Sequence, residues 1–252
     1  MNTFAQSIAA AWHLLVSGDA VLWTIVARSL WVSACACALA CVLGLLAGAW
    51  LGVARFPGRA AVLTVLNTLL ALPSVVVGLV VYLLLSNSGP LGFLGWLFSF
   101  KAMVLAQAVL VLPVVTALTR QVVEDAERAH GEQLRSLGAP ARARALLLVW
   151  DERYALVTVL IAAFGRAVSE VGAVMVVGGN IDGFTRVMTT AIALETSKGD
   201  LPLALALGAV LLLVVLVLNL AISLLRGWRE RVDGGGGDGS GTAAWWRPEA
   251  RP

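Results

Sequence analysis

The sequence carries little charge: Asp, Glu, Lys and Arg make up 13% of its 252 residues, against about 25% in a soluble domain. With 60% hydrophobic residues and a mean hydropathy of +0.89, too few polar side chains remain to cover a globule, and the apolar surface must face lipid. That excludes a disordered chain and a soluble enzyme domain. Histidine is scarce, with His13 and His130 alone, and the acids are scattered. Neither a metal-ligand set, a catalytic constellation, nor the clustered carboxylates of an integral-membrane lipid-head-group transferase is legible. Cys35, Cys37 and Cys41 lie inside one apolar run and read as small buried hydrophobes, not as a disulfide framework or redox centre. No G-x4-G-K-[ST] phosphate loop is present, so the chain lacks the backbone cradle and Lys that would hold ATP. No Lys or Arg precedes Arg28 and no small-residue cleavage site follows a short apolar core, so the first apolar run is expected to be kept.

What is present is a set of five apolar runs, at 25–54, 60–86, 102–120, 155–178 and 203–225, each about as long as a spanning helix requires. The expected fold is an all-α integral membrane protein of about five transmembrane helices. The net charge of +3 reflects topology and does not indicate a nucleic-acid partner. Thirteen of the 18 basic residues, Arg55, Arg59, Arg120, Arg128, Arg135, Arg142, Arg144, Arg153, Arg226, Arg229, Arg231, Arg247 and Arg251, fall in alternate connecting segments. Lys101, Arg186 and Lys198 occupy the others. The side rich in Arg is cytoplasmic by the positive-inside rule, which puts the N-terminus outside and the C-terminus inside. Five spans without an internal repeat argue against an ion-coupled carrier.

Residues 1–20 form an extracytoplasmic segment whose weak apolar face suggests a short helix along the outer surface, anchored by Trp12. Residues 21–226 form the spanning domain, and 227–252, with its Gly-rich stretch and Trp245, Trp246 and Pro248, a disordered cytoplasmic tail. Gly44, Gly48 and Gly52 share one helix face and allow a neighbouring backbone to come close. Pro73 and Pro113 sit inside the second and third runs and are expected to kink them. In the longest inner segment a helix-like stretch over 130–140 puts Leu134 and Leu137 on one face, then stops at Gly138 and Pro140. Arg166 and Glu170, four apart in the fourth run, are close enough to pair. Thr185 reads as the N-cap, and Gly199 as the C-terminal stop, of a short helix over 186–198.

The spacing of Glu132 and Gly138 resembles the EAA-loop motif of permease subunits of ATP-binding-cassette importers, with Leu148-Val149-Trp150-Asp151 where that pattern places Ile-x-Leu-Pro. Three stretches are similar to the molybdate, sulfate and tungstate branch of these permeases. They are Leu72-Pro73-Ser74-Val75-Val76-Val77-Gly78-Leu79, Ser88-Gly89-Pro90-Leu91-Gly92, and Gly165-Arg166-Ala167-Val168-Ser169-Glu170-Val171-Gly172-Ala173 continuing to Gly178-Gly179-Asn180. A fourth, Thr185-Arg186-Val187-Met188-Thr189-Thr190-Ala191-Ile192-Ala193-Leu194-Glu195-Thr196-Ser197-Lys198-Gly199, is similar to tungstate-type permeases.

The resemblance implies a type-1 importer permease fold working as a homodimer, joined to two ATPase subunits that carry the ATP and Mg, and fed by an extracytoplasmic oxyanion-binding protein. It makes 130–140 a coupling helix, with Glu132, Leu134, Leu137 and Gly138 facing the ATPase. Arg166, Ser169, Glu170, Arg186, Thr189 and Thr190 are the candidates for an anion pathway or gate. The charges over 179–200, Asp182, Arg186, Glu195, Lys198 and Asp200, sum to minus one, a poor trap for a dianion, which leaves high affinity to the binding protein. Tungstate, molybdate and sulfate remain open by residue physics.

Overall fold

The computed structural model describes residues 3–234. The tail beyond, with the Gly-rich stretch and Trp245, Trp246 and Pro248, lies outside the described residues. The elements are α1 (Thr3–Ser17), α2 (Ala20–Val53), α3 (Arg59–Leu70), α4 (Ser74–Leu85), a single 3-10 turn (Gly92–Leu94), α5 (Phe100–Ser136), α6 (Ala141–Asp151), α7 (Arg153–Val168), α8 (Gly172–Gly178), α9 (Met188–Lys198) and α10 (Leu201–Gly234). There is no strand among the described residues, so the fold is all-α as the composition requires.

All five apolar runs are present, but only three are single helices: α2, α5 and the Leu201–Leu225 part of α10 are long and apolar enough to cross a membrane. The second run is α3 and α4, bent by 99°, and the fourth is α7 and α8, bent by 56°. Pro73 breaks the second run outright, where a kink was expected. It has no N–H and disfavours helical geometry at Leu72, and with ψ at 127° it becomes the residue before α4. Pro113, in contrast, sits inside an uninterrupted α5. The long α10 continues through Gly234, eight residues into the segment expected to be disordered. The N-terminal helix is real, with Trp12 exposed, but its other face is docked: Ala11, Leu14 and Leu15 pack with Ala206, Leu207 and Val210 of α10.

The densest contact is between α2 and α5, and the three glycines explain it. A Cβ at Gly44 would lie 2.8 Å from the Val115 Cβ, one at Gly48 would lie 2.6 Å from the Thr116 carbonyl oxygen, and one at Gly52 would lie 2.9 Å from the Val123 Cβ. The backbone of α2 therefore rests directly on α5, and van der Waals packing of small residues replaces the hydrophobic drive that lipid does not supply. Around this seam Cys37, Ala40, Val111, Val115, Ala163 and Ala167 form one buried layer, and Ala49, Val53, Val123, Ala126, Ala145 and Leu148 form the next. The cysteines are free, with Cys37 buried in the first of these layers.

Gly48→Ala should destabilise the solubilised protein by about 1–3 kcal/mol, the cost of forcing a methyl into a packed interior. Gly208→Ala, where a Cβ meets nothing within 4 Å, should leave the melting temperature unchanged or raise it. Thermal unfolding in detergent checks the pair, and equal effects would contradict the close contact.

Candidate functional site

A broken helix in an apolar slab exposes backbone groups that must find partners inside the protein. The break between α7 and α8 is lined accordingly. Gln107 of α5, 3% exposed, donates from Nε2 to the carbonyl of Ala167 at 3.0 Å. The Thr189 hydroxyl of α9 donates to the carbonyl of Glu170 at 2.7 Å. Glu170 itself is 4% exposed; its Oε1 accepts from the N–H of Ala173 in the first turn of α8 at 3.3 Å, and its Oε2 accepts from Arg166 Nη1 at 2.8 Å. The pair expected four residues apart is thus formed, and it does more than join two turns of one helix. A single carboxylate restarts the helix beyond the break and holds a cation at its edge.

The Arg166 side chain is 48% exposed, and Ser169 beside it is also exposed, its hydroxyl donating to the Gly165 carbonyl at 2.9 Å. A half-exposed guanidinium within an apolar span cannot face hydrocarbon at low cost. On α7 the face with Ala162, Arg166 and Ser169 is therefore polar at its centre and open. The two breaks also lie together. A Cβ at Gly172 would come 2.7 Å from Ser74 Oγ, and one at Gly78 would come 2.8 Å from the Cα of Ala173, so α4 and α8 touch backbone to backbone.

The remaining pathway candidates support this break from behind. Arg186 is largely buried and faces Asp182 at 3.2 Å and Glu195 at 3.7 Å. Glu195 also takes Lys198 at 3.0 Å, and Arg28 of α2 donates to the carbonyls of Gly183 at 2.7 Å and Arg186 at 3.3 Å. The Thr190 hydroxyl accepts from the N–H of Val187 at 3.1 Å and so caps α9. That corrects the expected cap: α9 starts at Met188, and Thr185 is spent on the Gly178 carbonyl at 2.5 Å and the Ile181 N–H at 2.9 Å. Gly199, at φ +83°, ends α9 as its position in the sequence implies.

A second cluster lies at the far end of α5. The stretch over 130–140 is not a separate helix but the last turns of α5 and the elbow that follows. Gly138 takes φ +75°, and the N–H of Ala139 returns to the Leu134 carbonyl at 3.0 Å, closing the helix before Pro140 starts α6. Leu134 packs inward beside Ala145 and Leu148, so it does not share an open face with Leu137. The open apolar surface is made of Leu137 (81% exposed), Leu146, Leu147 and Trp150 (72%). Glu132 is exposed and lines a polar pocket with Arg55, Arg59 and Arg135.

Sequence reasoning missed Gln107, which looks like one polar residue in a long apolar run; a buried amide in a spanning helix is itself a signal, since it must have a partner. It also missed the surface on α6, where Leu146, Leu147 and Trp150 lie at i, i+1 and i+4 of a helix flanked by arginines.

Comparison with known proteins identifies the family. Residues 44–231 match the family described as binding-protein-dependent transport system inner membrane component. A probable anion ABC transporter permease protein of Haloferax volcanii is 44% identical over 86% of this chain and 95% of its own. A tungstate uptake system permease protein of Peptoclostridium acidaminophilum is 40% identical over 90% and 99%, and a molybdenum transport system permease protein of Escherichia coli K12 is 32% identical over 83% and 94%. With its apolar helices, broken spans and matched residues, the chain belongs to the family of binding-protein-dependent transport system inner membrane components and is a multi-pass membrane protein.

Proposed function

We propose that this chain is the permease subunit of an ATP-driven importer whose cargo is a tetrahedral oxyanion, tungstate. The observation that carries the reading is the half-exposed Arg166 held by buried Glu170 at the break of an apolar span. Lipid is a poor neighbour for that face, so it turns toward a second copy of the chain, with the pathway between the two. Arg166 and Ser169 meet the anion and replace part of its hydration by charge-assisted hydrogen bonds. Glu170 occupies one edge of the guanidinium and limits how tightly an anion is held, as conduction requires. Thr189, Thr190 and Arg186 hold the gate in shape, through the Glu170 carbonyl, the start of α9 and the ion pairs of Arg186 with Asp182 and Glu195.

Tungstate follows from the uptake-system relative at 40% identity. Molybdate is the second reading, favoured by the relative at 32%, and the two ions share charge and shape. Two ATPase subunits dock on Leu137, Leu146, Leu147 and Trp150, with Glu132 offering an exposed charge on the last turns of α5 and Gly138 setting the elbow. They supply ATP and Mg, and an extracytoplasmic binding protein delivers the anion. The N-terminus is outside, which places α6 in the cytoplasm with the Arg-rich segments.

Arg166→Gln removes a charge-assisted contact worth about 1.5–3 kcal/mol, so oxyanion uptake should fall roughly tenfold to a hundredfold. The measurement is uptake into vesicles containing the chain, its ATPase and the loaded binding protein, with co-purification of the ATPase unchanged; wild-type uptake by this variant would remove the gate assignment. Trp150→Ser should instead reduce ATPase co-purification severalfold, as loss of a buried aromatic anchor does at an interface, and a normal complex would count against the docking surface. A reporter active only in the cytoplasm should be active when fused after Arg229 and silent after Gly89. The opposite pattern would invert the orientation.

A further inference from the structure

The acid that the sequence motif highlights is Glu132, yet the buried acid of this region is Glu127. Its side chain is 7% exposed, and it takes Arg135 Nη2 at 2.9 Å and Arg144 Nε at 3.3 Å. Arg135 is on the last turns of α5 and Arg144 is on α6, so one carboxylate joins the two helices across the elbow. Arg144 also donates from Nη1 to the Ala139 carbonyl at 3.0 Å, fixing the turn itself. Space for this arrangement comes from Gly131: a Cβ there would sit 2.7 Å from the Glu127 carboxyl carbon and 2.8 Å from its Oε1. A glycine in the interior of a helix weakens it, and here the missing side chain is what admits the carboxylate.

A second acid one turn earlier extends the joint. Glu124 pairs with Arg120, with Arg59 at 3.1 Å and with Arg128 at 2.9 Å, and Arg59 also donates to the Leu51 carbonyl at 3.1 Å. The end of α5 is thereby bound to α2, α3 and α6 together. From Glu127 the same uninterrupted helix runs back to Gln107, 20 residues or about 30 Å away, where it holds the Ala167 carbonyl at the α7–α8 break.

The geometry points to Glu127 as the positioning residue of coupling: it clamps α6 to α5 so that a displacement of the docking surface moves α5, and with α5 the gate. This rests on the permease reading above. The clamp holds through charge and hydrogen bonds and leaves Leu137, Leu146, Leu147 and Trp150 untouched, so weakening it separates ATP hydrolysis from transport without preventing docking.

The test uses the reconstituted complex and two variants. Glu127→Gln removes the charge. Gly131→Ala displaces the carboxylate while raising helix propensity, and so guards against a simple failure to fold. In both, ATPase co-purification and basal ATP hydrolysis should match wild type, while oxyanion taken up per ATP hydrolysed falls at least fivefold. Unchanged uptake per ATP in both variants would overturn the clamp, as would a loss of uptake that only tracks loss of bound ATPase. Spin labels at Gln121 and Arg142, in a chain with its three cysteines replaced by Ala, give a readout independent of transport. The distance should be single and narrow in the parent and broad in Gly131→Ala; a narrow distribution in both would sink the proposal. A wild-type complex that takes up no oxyanion but keeps the narrow distance would leave the clamp standing and remove the importer reading.

Discussion

Hydrocarbon has no hydrogen bonds to give, and that one constraint organises this molecule. An unbroken helix satisfies its own backbone and can lie against lipid, as α10 does. A broken one cannot, so each interruption must be enclosed by side chains whose donors and acceptors match those set free. At the break in the fourth span the enclosing groups come from two other helices and from the break itself: Gln107 from α5, Thr189 from α9 and Glu170 between α7 and α8. Their convergence requires close packing of the helices that carry them, and the glycine seam between α2 and α5, together with the backbone contact of α4 and α8, provides it.

The parts legible in the sequence were those governed by length and by spacing. Five runs long enough to span, the shared face of Gly44, Gly48 and Gly52, and the pairing of Arg166 with Glu170 all follow from helix geometry alone. The parts that were not legible depend on which neighbour a residue meets. Pro73 and Pro113 are chemically the same, yet one ends a helix and the other does not. Thr185 and Thr190 both suit a cap, and the choice was made by the Gly178 carbonyl, which claims Thr185. Leu134 and Leu137 lie nearly on one helical face, but the elbow at Gly138 turns α6 back over Leu134 and leaves Leu137 in the open. Arg186, a candidate for the anion pathway by sequence, is enclosed by acids from its own loop and from α9.

Charge is also distributed by task. Near the break it is sparse, one guanidinium and one carboxylate, and the guanidinium keeps an open edge. At the α5–α6 elbow it is dense and mutually satisfied, with two acids, Glu124 and Glu127, shared among five arginines. The first arrangement suits a site that a mobile anion visits and leaves; the second suits a joint that has to keep its angle. The helix that connects them, α5, is the most buried of the three long apolar helices.

The glycine seam also bears on how the chain is made. The bare face of α2 finds its mate only in α5, and Gly52 waits for Val123, about seventy residues later in synthesis, or roughly 4–14 s at 5–20 residues per second. Through that interval α2 rests in the membrane with its backbone uncovered along one side and the hydroxyls of Ser29 and Ser33, both buried in the finished fold, unshielded. Biogenesis therefore imposes an order: the seam between α2 and α5 can close only when α5 has been made, and the partners that α7, α9 and α10 supply join after it.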